Sequence, residues 1–200
     1  ISINPQTLND EVLRGIGRKH TAQEIIDCFY MAREEGFDDI NMDLIAGLPA
    51  DTPDGFRRTL DTCLTFGADN ITVHTLSLKK GSRILLEGLP IPSAEDVAAM
   101  LDYADPALRE KGFAPYYLYR QKNMSGNFEN TGYARPGKYG LYNILIMEEK
   151  QTIVALGAGS ITKRVFPDGR IERCDNVKDV GLYIEKIDEM IERKKELFAE

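Results

Sequence analysis

The chain has 200 residues, of which 42% are hydrophobic and 28% charged, enough for a folded globular domain with an ordinary core. A net charge of -7 argues against general nucleic-acid binding, which needs a basic face, and no apolar run is long enough to span a membrane. Cys28, Cys63 and Cys174 are widely separated and form no CxxC pair and no metal-ligand spacing; with no secretory leader pattern in view, they point to a reducing, cytoplasmic setting.

The chain opens without Met on Ile1-Ser2-Ile3, which reads as a strand, so a piece of something longer is expected. Ile1 to Asn4 is the predicted strand; Pro5 ends it and Gln6 falls in the turn. Asn9 caps a short helix from Asp10 to about Arg18. The lone His20 reads as part of a solvated terminus. Thr21-x-x-Glu24 is a capping box opening a helix that ends at Gly36, with Ile25, Ile26, Phe29 and Ala32 along one stripe.

The run from Asp39 to Pro49, D-I-N-M-D-L-I-A-G-L-P, has the composition of a buried strand with polar residues inside it. Alternation puts Ile40, Met42 and Leu44 on one face and Asn41, Asp43 and Ile45 on the other. Gly47-Leu48-Pro49 stops the strand. A carboxylate before such a stop is either an ordinary acid capping a turn or a binding group at the C-terminal end of a sheet.

Thr52-Pro53 opens the next helix, with Phe56, Leu60, Cys63 and Leu64 inward and Gly67 as its stop. Ile71 to Leu78 is the third strand. Strand and helix alternate through short loops, which predicts a parallel sheet with right-handed crossovers. The period of roughly 30 residues suits a TIM-like barrel, of which the chain holds about half.

Lys79-Lys80-Gly81-Ser82-Arg83 is a basic loop that reads as a solvated turn or an anion site. Ser93-x-x-Asp96 caps a helix to about Lys111, and Pro115 to Arg120 is β-prone. Gln121 to Gly140 is a long Asn/Gly-rich run, expected to be functional rather than regular, since Phe128, Tyr133 and Tyr139 argue against plain disorder. Tyr142 to Met147 reads as an apolar strand and Thr152 to Leu156 as helix or strand. Leu156-Gly157-Ala158-Gly159 is a tight turn. Arg164 to Arg173 is a hairpin across Pro167-Asp168-Gly169. Asn176-x-x-Asp179 starts the last helix, with Val180, Ile184, Ile187 and Ile191 as its buried stripe.

I-S-I-N-P-Q-T-L-N-D-E-V-L, Arg18, N-M-D-L-I-A-G-L-P-A-D-T and I-T-V-H-T-L-S-L together resemble the radical S-adenosylmethionine enzymes of the oxygen-independent coproporphyrinogen III oxidase family. The later runs N-M-S-G-N-F-E-N-T-G-Y-A-R-P-G-K and L-G-A-G-S-I-T-K resemble its coproporphyrinogen dehydrogenase, or HemZ-like, branch. The resemblance implies an α/β fold: the C-terminal part of a partial TIM-like (β/α)6 radical SAM barrel over residues 1–112, and a C-terminal α+β extension on the substrate side over 113–200.

It further implies an S-adenosylmethionine site with Asp43 as a ligand, Gln6 and Arg18 in the same network, Ile45 beside the adenine and Ser77 where backbone approaches the cofactor. An acid and an arginine suit a ligand carrying both ammonium and carboxylate. The family's [4Fe-4S] cluster is held by a C-x-x-x-C-x-x-C loop that this chain lacks, which the resemblance places before Ile1. The implied reaction of the full-length enzyme is radical oxidative decarboxylation of coproporphyrinogen propionates to vinyl groups, with the fragment itself inactive. The implied partners are a tetrapyrrole substrate and an external electron donor, with no nucleic acid and no membrane. Lys79, Lys80, Arg135 and Lys138 are candidate partners for the substrate carboxylates. The sequence assigns no catalytic residue and no metal ligand. Two other readings stand beside this one: a haem-binding or haem-delivery protein on the same fold, with only His20 and His74 to offer as axial ligands, and an unrelated aldolase-type barrel, which would need a reactive lysine inside the barrel.

Overall fold

A computed structural model describes residues 1–78, 82–120 and 125–199, with side chains omitted at Arg83 and Ser125. The chain forms two compact units, Ile1–Gly140 and Leu141–Glu200. Residues 113–140, grouped by the sequence with the extension, are therefore part of the first unit. The reason is hydrogen bonding: two strands of that segment pair into the first unit's sheet.

In the first unit, α1 (Asp10–Gly15) and α2 (Ala22–Glu34) precede β1 (Asn41–Ala46), and α3 (Pro53–Thr65) precedes β2 (Asn70–Thr75). Then come α4 (Arg83–Leu86), α5 (Ala94–Glu110), β3 (Ala114–Tyr119) and β4 (Asn130–Ala134). The expected helix starts are met. Asn9 accepts from the Glu11 and Val12 amides, and Thr21 and Ser93 form full capping boxes with Glu24 and Asp96. Thr52 caps α3, whose first position is Pro53. The first helix stops at Gly15, short of Arg18, where Gly17 turns in the left-handed region.

The sheet order is β1-β2-β4-β3. β1 and β2 are parallel, as expected, and β4 is antiparallel to both its neighbours. The N-terminal segment runs parallel along the other side of β1, through bridges Ser2–Asn41 and Gln6–Leu44. It carries past Pro5, so Gln6 lies beside β1 rather than in a turn. The β2 strand ends at Thr75, three residues before the expected end.

Helices cover one face of this sheet. Ile40, Met42, Leu44, Ala46, Ile71 and Val73 pack there with Phe29, Phe56, Leu60, Val97, Met100 and Leu108 from α2, α3 and α5. All of these are buried; removing a large apolar side chain from water contributes about 1.5–3 kcal/mol apiece. At the N-terminal ends of the strands, Arg33 of α2 holds the buried Asp69 carboxylate at 2.6 Å, and that carboxylate also accepts from the Ile40 amide. This ties α2 to the starts of β1 and β2.

The expected irregular run from Gln121 to Gly140 is more ordered than its composition suggests. Within it lie a 3-10 turn at Ser125–Asn127 and β4 itself, while 121–124 fall outside the described residues.

In the second unit, α6 (Leu141–Met147) replaces the expected strand at Tyr142 to Met147. β5 (Ile161–Val165) and β6 (Ile171–Asp175) form the predicted hairpin, with Gly169 at φ 86 in its turn. Residues 152–156 run extended along β5, bridged at Ile153. Leu156 to Gly159 is a tight turn whose Gly157 carbonyl accepts from Asn176. The last segment is two helices, α7 (Val180–Glu185) and α8 (Ile187–Ala199), rather than one. The break at Lys186 shifts the helical phase. Met190, at 1% exposure, is the core residue, whereas the expected stripe Val180, Ile184, Ile187 and Ile191 is 37–67% exposed.

Candidate functional site

The face of the first sheet opposite the helices carries a different chemistry. Pairing registers align residues across it in rows. Asp43 lies opposite Thr72, which is opposite Gly132, which is opposite Tyr117. In the next row Ile45 lies opposite His74, and Asn130 opposite Tyr119. Partners opposite each other in a sheet share a face, so two tyrosines from β3 look across β4 toward an acid on β1.

The crossing depends on β4. A Cβ at Gly132 would sit 1.9 Å from Tyr117 Cε1, so the ring lies directly on the glycine backbone. In the next row Asn130 turns away, its Oδ1 accepting from the Thr75 amide at 2.7 Å. The Tyr117 and Tyr119 rings stack nearly parallel, 8° apart, with centroids 6.3 Å apart.

Both hydroxyls then reach β2. Tyr117 Oη is 3.2 Å from Thr72 Oγ1, and Tyr119 Oη is 3.3 Å from His74 Nδ1. Thr72 donates to Asn41 Oδ1 at 3.2 Å, and Asn41 Nδ2 donates to Asp43 Oδ1 at 2.8 Å. His74 Nε2 stands 3.6 Å from the same oxygen, an ion-pair distance rather than a hydrogen bond. Two chains of polar contacts, each beginning at a tyrosine, converge on one carboxylate oxygen.

Burial pushes the Asp43 carboxyl up, but the facing His74 and the Asn41 donor outweigh it and hold the group below its ordinary value. Asp43 is thus an anion near neutral pH, half-buried and partly open to solvent. Burial also drives the Tyr117 hydroxyl up to about 12, against the hydrogen bond it shares with Thr72, so it is a neutral phenol.

Asp43 is the third residue of a six-residue strand and lies inside the sheet face, not at the strand end as the sequence suggested. Gln6 sits beside it. Its amide donates to the Asp43 carbonyl at 3.0 Å and its carbonyl accepts from the Ile45 amide at 2.9 Å. Gln6 is 7% exposed and has φ 66, a left-handed conformation that is uncommon and strained for a residue with a Cβ. Ile45 packs with Val12, Leu48 and Leu76 in a small apolar cluster at the C-terminal ends of β1 and β2. Ser77 is half-buried just after β2, between two residues that pack in that cluster. Arg18 is exposed, on a turn held by Ile16 in the same cluster and by the contact of His20 with the Pro5 carbonyl at 3.5 Å. Gln6 and Ile45 thus lie along β1 with Asp43, while Arg18 and Ser77 are linked to Ile45 through their neighbours Ile16, Leu76 and Leu78 in the apolar cluster.

Arg135 and Lys138 do not join them. Arg135 donates to the Ala68 carbonyl and stacks over the Phe113 ring, and Lys138 donates to the Asp38 carbonyl. Both lie at the N-terminal ends of the strands, away from Asp43, because β4 runs antiparallel and delivers its C-terminal end there. Lys79 and Lys80 lie outside the described residues. Sequence reasoning missed Thr72, Tyr117 and Tyr119, and offered His74 only as an axial ligand for haem. The polar parity of Thr72 and His74 within an apolar strand was the available signal.

A cluster does not fit the cysteines of this chain. Cys28 is exposed on α2, Cys63 is buried in the core with its thiol pushed up to about 12 by burial, and Cys174 lies on β6 in the second unit. An iron–sulfur cluster needs thiolates at one place. Among the described residues no group of three or more His, Cys, Asp or Glu could hold a metal ion, and no helix is long and apolar enough to cross a membrane.

Residues 1–63 match the Radical SAM superfamily. The chain is 42% identical over 197 residues to the oxygen-independent coproporphyrinogen-III oxidase-like protein HemZ of Bacillus subtilis (strain 168), covering 97% of this chain and 39% of that protein. It is 26% identical over 164 residues to the heme chaperone HemW of the same organism, covering 80% and 40%. Among solved structures, coproporphyrinogen III oxidase (HemN) from Escherichia coli superposes with a TM-score of 0.69 at 21% identity, over 94% of this chain and 43% of that one. The chain therefore spans about 40% of the length of the relatives it matches, and its fold is part of a TIM-like radical SAM barrel. Family match, identity and fold point the same way: residues 1–63 match the Radical SAM superfamily, and the chain as a whole is similar to an oxygen-independent coproporphyrinogen-III oxidase-like protein and shares the fold of a coproporphyrinogen III oxidase.

Proposed function

We propose that the full-length protein is a cytoplasmic oxidoreductase that decarboxylates propionate side chains of coproporphyrinogen III to vinyl groups, giving protoporphyrinogen IX, with S-adenosylmethionine bound at the Asp43 region. One observation carries the cofactor part of this reading. The Gln6 backbone is hydrogen-bonded to the Asp43 carbonyl and the Ile45 amide, which lays Gln6 along the strand that carries the ionised carboxylate and the Ile45 side of the apolar cluster. That donor set suits a ligand with a cationic amino group, a carboxylate and a flat apolar ring. Asp43 would take the ammonium, Arg18 the carboxylate, and Ile45 one face of the adenine, with Gln6 and Ser77 alongside. When bound, S-adenosylmethionine supplies the 5′-deoxyadenosyl group whose radical abstracts hydrogen from a propionate. The chain's own residues orient that ligand and shield it. They hold no cluster, so electron delivery from an external donor belongs to other parts of the protein.

The substrate is a polycarboxylate. With Arg135 and Lys138 committed at the far end of the sheet, Lys79 and Lys80 remain the candidate carboxylate partners within this chain. The haem-delivery reading has less support, since the HemW relatives are less similar and the described contacts turn both ring nitrogens of His74 toward protein partners.

The test is binding of S-adenosylmethionine to the reconstituted full-length protein by calorimetry. Asp43→Asn is expected to weaken it at least tenfold, the scale of losing one contact between charged groups. Unchanged affinity removes Asp43 from the site. Stoichiometric haem uptake without cleavage of S-adenosylmethionine would overturn the enzyme reading in favour of haem delivery.

A further inference from the structure

Asp43 Oδ1 receives two contacts, one from Asn41 and one from His74, and Thr72 beside them also helps hold the carboxyl ionised. Behind each contact stands a tyrosine. A phenol is a good donor while neutral. With Thr72 donating to Asn41, Tyr117 is the donor to Thr72. In the other chain Tyr119 Oη faces His74 Nδ1 at 3.3 Å. A neutral imidazole has one N–H and one bare nitrogen, and the partner at one nitrogen decides which. A hydroxyl donating to Nδ1 leaves the proton on Nε2, the nitrogen that faces Asp43.

We propose that Tyr119 locks His74 in its Nε2–H tautomer, so that His74 and Asn41 together anchor Asp43 by Oδ1 and fix the carboxylate for the ligand. His74 and Tyr119 are then positioning residues for the site. The inference rests on the reading of Asp43 as a cofactor ligand for its consequence, but not for its geometry. His74 acts as a donor in either protonation state: neutral, it offers Nε2–H; protonated, it adds a charge. Without Tyr119 the neutral ring could present a bare nitrogen to a carboxylate, and the two would repel.

Two measurements test this. In a two-bond 1H–15N spectrum of the full-length protein, the peaks lost in His74→Gln identify His74. The wild-type His74 is expected as the Nε2–H tautomer at alkaline pH, and Tyr119→Phe is expected to shift it toward Nδ1–H. An Nδ1–H wild type, or a tautomer indifferent to Tyr119→Phe, overturns the proposal.

The second measurement is affinity for S-adenosylmethionine in the full-length protein. His74→Leu is expected to weaken it about tenfold, the scale of losing one polar contact to a charged group. His74→Gln, which keeps a donor at about the same reach, is expected to restore most of it. Equal losses in the two variants would mean that the ring only fills space, and the proposal fails. If His74→Leu does not fold, His74→Gln and Tyr119→Phe still decide. Should Asp43→Asn leave the affinity unchanged while the tautomer responds as expected, the cofactor reading fails and the tautomer lock stands.

Discussion

The two faces of the first sheet are built from the same residues in alternation, yet they obey different rules. On the helix side, Met42, Leu44, Ile71 and Val73 are buried among Phe56, Leu60 and Met100, and apolar volume is what matters. On the other side Asp43, Thr72, His74, Tyr117 and Tyr119 are linked by directional contacts, and placement of individual atoms is what matters. The first face should tolerate changes of residue that keep volume; the second should not tolerate even isosteric changes that lose a donor.

The contrast can be broken in a graded way. The largest effect is expected on the helix side. Phe56→Ala empties a buried position and should cost about 3–5 kcal/mol in urea unfolding. A smaller loss would mean that α3 collapses into the gap. Next is Gly132→Ala on the polar side, where the new methyl meets the Tyr117 ring. Displacing the ring should cost about 1–3 kcal/mol, and it should also detach Tyr117 from Thr72, while a double variant with Tyr117→Ala relieves the clash. If the single variant is neutral, the ring does not lie on Gly132.

The smallest effect is a pH dependence. Burial raises Tyr117 and Tyr133 to about 12. Their folded values exceed the ordinary 10.0, so the stability they contribute is full below pH 10.0 and is lost as pH rises through about 12. Absorbance titration should show two phenols ionising near pH 12, and Tyr117→Phe should remove one of those steps. Ionisation of both near the ordinary 10.0 would sink the buried-phenol assignment.

Much of this was legible in the chain. The capping boxes at Thr21 and Ser93, Pro53 at the start of α3, and the parity of Ile40, Met42 and Leu44 each rest on local rules, and each appears as read. Gln6 and Asp43 could be paired from the family resemblance, and the backbone brings them together. What was not legible was non-local. Asn130 and Gly132 look like loop residues because of their composition. They are strand residues because one must cap the Thr75 amide and the other must make room for Tyr117, facts about partners over 50 residues and 15 residues away. The stripe on the last helix failed for a related reason: the period was right, but a break at Lys186 reset the face that meets β5 and β6.

The position of β4 has a consequence for how the molecule assembles. It is the last strand of its sheet in the sequence but lies between β2 and β3 in space. Strand β3 therefore has no place in the sheet until β4 has passed it and turned back. The acid, its threonine and its histidine can come together as soon as β1 and β2 pair. The two tyrosines that contact them arrive only with the completed β3–β4 hairpin, so the polar face is finished in one late step, and a nascent chain that stops before Ala134 carries Asp43 without the contacts that β3 brings.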